Sequence, residues 1–303
     1  MINLTKSINI QNDLYTYTGR RNANNADLNR NFPSQFHYGR IGQLKKMSYR
    51  EIMQLSPSDT TLRNNRYTQP ETRAIMKWVL ENPFVLSLIL HGGAAGAFYP
   101  YDDGKSNPLS ADPSNFGYLS ATPDNNVMKH LANVYASNHL DMHLGKPCSK
   151  GYAFKNGIGN GAEWYPLSGS MNDFNYIFSN AFEVTVELTC CKKPDPGTLP
   201  SEWKKNKKSL IEYLKQAHIG IKGIVTDKGW RRVGGAEIIV VGNEKKIFTS
   251  DRGEYWRLLI PGVYQVYARD CSLGDCLQSI TKTVRVRKNK ATIVNFQLKN
   301  SYY

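Results

Sequence analysis

Residues 84–93 read FVLSLILHGG, and this stretch decides the fold. Its first seven residues are almost wholly apolar, the mark of a buried strand. Such a strand needs helices over the sheet, so the class is α/β. The run stops abruptly at His91-Gly92-Gly93. In open α/β sheets, ligands collect beyond the carboxyl ends of strands, and paired glycines let backbone come close to them.

Working outward, residues 69–81 open with a proline at a first-turn position and continue with Ile75, Met76, Val79 and Leu80 at helical spacing. Residues 126–137 repeat an amphipathic helical pattern. Residues 182–188, FEVTVEL, alternate. Phe182, Val184, Val186 and Leu188 face one way, and Glu183, Thr185 and Glu187 the other. Residues 202–217 give a third helix, with Trp203, Leu210, Ile211 and Leu214 on its apolar side.

The texture changes near Ile219. IKGIVTD, AEIIVVG, KIFTS, YWRLLI, YQVYARD, TKTVRVR and ATIVNFQL follow one another, separated by Gly, Asp and Pro turn signals. This predicts an all-β sandwich of about seven strands. The boundary near 217–220 divides the chain into residues 1–217 and 218–303.

Composition closes off other classes. The chain has 303 residues, 40% hydrophobic and 21% charged, which excludes disordered, collagen-like and membrane-spanning chains. Net charge is +14, yet Lys and Arg are scattered. The runs 204–208 and 285–290 read as solvated faces, so no nucleic-acid partner is expected. No signal peptide, transmembrane segment or hydrophobic anchor tail is read, and residues 3–5 form a lone glycosylation sequon. The five cysteines include no CxxC pair. Cys271 and Cys276 flank the turn sequence SLGD and either close a hairpin disulfide or stay as two thiols.

Four segments can carry chemistry. Residues 19–33, GRRNANNADLNRNFP, set Arg20, Arg21 and Arg30 among asparagines, either as a fork for a carboxylate or as a polar surface loop. His91 is either a metal ligand or a hydrogen-bonded strand-end histidine. Glu187 is a strand-borne carboxylate, costly unless paired or functional, unless the strand simply faces solvent. Tyr165, before Ser168-Gly169, is either a lid over a substrate or half of a packed aromatic pair with Trp164.

Taken together, DLNRNFP at 27–33, LHGGAAGAFYPYDD at 90–103, GIGNGAEWYPLSGSMNDFNY at 157–176 and FEVTVELTCCKKP at 182–194 resemble the zinc metallocarboxypeptidases. The subfamily is that of carboxypeptidases N, E, D and M, over nearly the whole chain. The resemblance implies a carboxypeptidase-like mixed sheet flanked by helices, followed by a transthyretin-like sandwich. It implies a secreted monomer that removes C-terminal Lys or Arg from peptides and proteins with one Zn2+. It places His91 as the third zinc ligand and Glu187 as the carboxylate that activates water. Arg20 polarises the scissile carbonyl, and Asn29 and Arg30 clamp the terminal carboxylate. Tyr165 closes over the substrate, while Asp102 and Asn172 receive the basic side chain.

The sequence departs from that pattern upstream. The first two ligands come from an HxxE segment, and none of His37, His91, His130, His139, His143 and His218 has Glu three positions later. The expectation is a catalytic domain that begins late and lacks early strands, with weak or absent zinc binding, little peptidase activity and an uncovered sheet edge. Either the gene model is incomplete or the chain is a pseudo-enzyme that still binds basic C-termini. His139 and His143 are expected to flank the helix after residue 137 rather than bind metal. Ser170 replaces a family Gly, Asn172 a Gln, and Ala181 a Cys.

Overall fold

The computed structural model describes residues 19–33, 68–104, 117–148, 153–272 and 276–300. His37 and the sequon at 3–5 lie outside them. The first sheet contains β1 (Leu86–His91), β2 (Gly96–Tyr99), β3 (Ile158–Asn160) and β4 (Phe182–Glu187), in the order β1-β4-β2-β3. β1 and β4 run parallel, in register from Leu86↔Phe182 to His91↔Glu187. That register brings the two strand-end residues side by side. β1 is less buried than its sequence suggests. It is half-buried throughout, and among the described residues it pairs only with β4.

α1 (Pro70–Glu81) starts on its proline, whose fixed φ suits a first turn and whose missing N–H has no partner to lose there. α2 (Asn125–Asn138) buries Val127, Met128, Leu131, Ala132, Tyr135 and Ala136. His139 and His143 finish it as expected: His139 Nδ1 accepts from Met142 N–H at 3.0 Å, and His143 Nδ1 donates to the His139 carbonyl at 3.0 Å. α3 (Gly161–Trp164) and α4 (Met171–Phe178) follow β3.

α5 (Leu199–Lys215) corrects the expected apolar face. Trp203, Ile211 and Leu214 are exposed, while Asn206, Ser209 and Tyr213 are buried. The buried stripe follows the polar contacts that α5 makes with its neighbours. Tyr135 of α2 donates to Asn206 Oδ1 at 2.7 Å, and Tyr213 donates to the Ser87 carbonyl on β1 at 2.9 Å. β4 corrects the solvent-facing alternative as well: Glu183 and Glu187 are both buried.

From residue 221 the described chain is all β. β5 (Ile221–Thr226), β8 (Glu254–Arg257), β12 (Thr292–Ile293) and β13 (Phe296–Gln297) form one sheet. β6 (Glu237–Val240), β7 (Ile247–Phe248), β9 (Gly262–Asp270), β10 (Leu277–Gln278), β11 (Lys282–Val286) and β14 (Lys299–Asn300) form the other. All seven expected segments carry strands. The count rises to ten because residues 292–297 split in two and the two-residue strands β10 and β14 join. Ile221, Val225 and Phe296 of one sheet share a core with Ile238, Val266 and Ala268 of the other. The Cys271–Cys276 disulfide closes the end of β9 onto β10. Cys148–Cys190, which no local sequence signal indicates, is a second disulfide, and Cys191 is free.

The same core cluster runs on into the α/β sheet through Phe182, Val184 and Val186. Arg257 of β8 is fully buried and bidentate on Asp124, just before α2, at 2.7 and 3.0 Å. A broken pair of this kind leaves a bare charge in the interior. No helix among the described residues is long and apolar enough to cross a membrane.

Candidate active site

A cavity of about 400 Å3 opens beyond the carboxyl ends of β1 and β4. Arg20, Asp27, Arg30, His91, Gly92, Gly93, Trp164, Tyr165, Glu187 and Lys192 line it. Five of the eight residues singled out from sequence therefore meet here: Arg20, Arg30, His91, Tyr165 and Glu187. Asn29, Asp102 and Asn172 are not in the lining.

The Asp27 side chain organises the mouth. It accepts Arg20 Nε at 2.8 Å and the Asn29 N–H at 3.1 Å, starting a single turn over Leu28–Arg30. A neutralised, hydrogen-bonded Arg20 holds one rotamer at modest entropic cost. Arg30 anchors through Nη1 on the Asn29 carbonyl at 2.8 Å. Asn29 itself braces the fold, its amide oxygen accepting the Met171 N–H at 2.9 Å.

His91 Nδ1 and Glu187 Oε2 stand 2.9 Å apart. Glu187 is nearly buried, and His91 is more exposed. A catalytic zinc needs three protein ligands and an open position. Among the described residues no group of three His, Cys, Asp or Glu stands together, and the nearest carboxylate already touches His91. The described residues do not fit that metal.

Within reach of the Arg30 charge and of Tyr165 lies a buried acidic group, the floor. Asn172 Nδ2 donates to Asp102 Oδ1 at 3.0 Å, and both residues are buried. Asp173 accepts the N–H groups of Asp102 and Asp103 at 2.7 and 2.9 Å, fixing the chain that carries Asp102. Burial pushes the Asp102 carboxyl up, opposed by hydrogen bonds from Ser170 and Asn172 and by the Arg30 charge. Asp173 is raised further, by burial and by Asp102. Asn172 Oδ1 has no partner among the described residues, an unmet acceptor beside a carboxylate. Gly161 makes the floor possible: a Cβ there would lie 1.9 Å from Asp102 Oδ1.

Ser170, where the resemblance has Gly, caps α4 by accepting the Asp173 N–H at 3.2 Å. Tyr165 stands at the rim, 43% exposed and edge-on to Trp164. Burial pushes its hydroxyl up, partly offset by Arg30. It is therefore both a neighbour of the aromatic cluster and a wall of the cavity.

Sequence reading missed Lys192 and Asp27, and it noted Asp173 only as the end of the Tyr165 loop segment. Lys192 follows β4 by a few residues and lies across Gly93, where a Cβ would meet its side chain at 2.5 Å and where φ is +122°. Its only sequence signal is its place after the strand end. Asp27 stands inside the DLNRNFP motif, and Asp173 next to Asn172.

The zinc carboxypeptidase family profile matches residues 5–209. Carboxypeptidase D of Drosophila melanogaster is 46% identical over 256 residues, 84% of this chain and 16% of that protein. Carboxypeptidase M of Mus musculus is 43% identical over 257 residues, 84% of this chain and 51% of the relative. The carboxypeptidase N catalytic chain of Rattus norvegicus is 40% identical over 286 residues, 93% and 59% respectively. The chain thus spans well under two thirds of each relative.

Proposed function

The chain belongs to the zinc carboxypeptidase family, and we propose that its cleft takes the C-terminal residue of peptides ending in Lys or Arg, the class reaction being hydrolytic removal of that residue. The observation that carries this is the pairing of a cationic mouth with an acidic floor. Arg20 and Arg30 line the cavity, and Asp102 with Asn172 lies buried within reach of the Arg30 charge. A guanidinium fork reads a carboxylate in two bonds, so Arg30 takes the terminal carboxylate. Arg20, held by Asp27, faces the scissile carbonyl. Asp102 receives the cationic side chain, whose extra donors suit Asn172 Oδ1. Tyr165 closes the rim, and Glu187, steadied by His91, is the proton acceptor for an attacking water.

A second reading, a non-catalytic binder of the same C-termini, is favoured by the direct His91–Glu187 contact and by the donor set around it. Both readings name residues of this chain alone, and a monomer is the working form we take. The division at residues 217/218, with a transthyretin-like sandwich after it, is supported by the two sheets that share a core from β5 onward. A secreted or extracellular setting is supported by two disulfides.

The test is a titration with peptides that differ only in ending in Arg, Lys or Ala, followed by hydrolysis assays with added zinc and zinc analysis after dialysis. Preference for Arg and Lys supports the cleft, and equal affinity for all three overturns it. Release of free Arg with about one zinc per chain selects the hydrolase. Binding without release selects the binder.

A further inference from the structure

The floor of the cleft hangs on α4, and the far end of α4 is gripped by the all-β region. At its near end, Met171 N–H is held by Asn29, Asn172 touches Asp102, and Asp173 holds the N–H groups of Asp102 and Asp103. At its far end, Lys245 Nζ donates to the carbonyls of Tyr176 and Ser179, the latter at 2.7 Å. Lys245 comes from the turn between β6 and β7 and is buried. Its ammonium also sits 5.0 Å from the centre of the Tyr176 ring. Next to it, Asn180 and Phe248 exchange two hydrogen bonds, at 2.8 and 3.0 Å. Asn243 of the same turn donates to Asp124 at 2.8 Å, and Tyr176 OH donates to Asp124 at 3.0 Å.

Two features make this more than packing. A lysine amine is an expensive group to bury, and burial drives Lys245 down to about 7 against the attraction of Asp124. Its donors meet the carbonyls at the helix C-terminus, where the backbone lacks partners and carries partial negative charge. The rod between the two grips is short. α4 has eight residues, about 12 Å of helix, so a displacement at one end is not absorbed before it reaches the other.

We propose that Lys245 is a positioning residue for the basic side-chain pocket: through α4, the all-β region sets where Asn172 and Asp173 stand and so where Asp102 points. The inference rests on the cleft reading for its meaning in binding, but not for its mechanical content.

Lys245→Met keeps the apolar stem and removes the donors, and Lys245→Arg keeps donors. Asn180→Ala cuts the neighbouring bonds and is the milder second variant. Val286→Ala, an apolar residue buried in the same region, is the control for simple destabilisation. Two readouts are taken on the full chain. One is backbone hydrogen exchange at Asp102 and Asp103. The other is the ratio of affinities for Arg-ended and Ala-ended peptides.

Lys245→Met is expected to speed exchange at Asp102 and Asp103 and to cut the affinity ratio, each by about tenfold. Asn180→Ala moves both in the same direction by less, and Lys245→Arg restores part of each. Val286→Ala lowers the Tm and leaves both readouts in place. The proposal is overturned if Lys245→Met and Asn180→Ala lower the Tm with both readouts unchanged, or if Val286→Ala matches them. A wild-type chain that does not distinguish the peptides sinks the cleft reading, while the exchange readout still decides this one.

Discussion

The mouth and the floor of the cleft are built by opposite means. The mouth is cationic and open to water, and its arginines are steadied by groups close in sequence: Arg20 by Asp27, Arg30 by the Asn29 carbonyl. The floor is acidic and dry, and the bonds that place Asp102 cross some 70 residues, its side chain to Asn172 and its N–H to Asp173. The difference teaches that a charge facing water can be placed by one loop. A charge kept from water needs the whole fold around it, because burial without partners costs several kcal/mol.

The largest effect should come from crowding the floor. Gly161→Ala drives a methyl into Asp102, so it should destabilise the chain by about 3 kcal/mol in thermal melts. It should also abolish the preference for basic C-termini, and an unchanged preference would dissolve the contrast. At the mouth, Arg30→Ala should weaken all peptides alike by about 2 kcal/mol in calorimetry, whatever their last side chain, because it removes a charged hydrogen-bond donor. Asp102→Asn should do the reverse. It should leave Ala-ended peptides untouched and cost Arg-ended ones about tenfold. Since burial raises the Asp102 carboxyl, the wild-type preference should fade on acidification above the ordinary carboxylate range.

The smallest effect concerns Glu183, below the floor on β4. Asn175 Nδ2 donates to it at 2.6 Å, and burial pushes it up to about 7. A raised carboxyl favours folding below its unfolded pKa and loses that contribution as pH rises through the folded one. Glu183→Gln should therefore flatten the fall in stability between about pH 5 and 8, gaining on the order of 1 kcal/mol at the upper end. Parallel denaturation curves of variant and wild type across that range would refute it.

The sequence made some of this legible. His91 and Glu187 each end a patterned strand, and parallel strands in register put such ends together. The Asp27–Pro33 motif is local, and the Cys271–Cys276 bridge spans one turn. The floor was reached only through the family resemblance, since no pattern within residues 90–103 or 157–176 says that Asp102 meets Asn172. Cys148–Cys190 was invisible for the same reason, its partners being 42 residues apart. α5 failed differently. Its apolar periodicity was real, but which stripe turns inward depended on Tyr135 and Ser87, residues of other elements.

The most direct measurement is a cycle of two proteins and two peptides. Wild type and Arg30→Ala are each titrated with an Arg-ended peptide as the free acid and as the C-terminal amide. The account predicts that amidation weakens wild type by about thirtyfold and Arg30→Ala hardly at all, since the carboxylate and its fork are one interaction. Equal losses in the two proteins would contradict it, placing the carboxylate elsewhere or nowhere in the cleft.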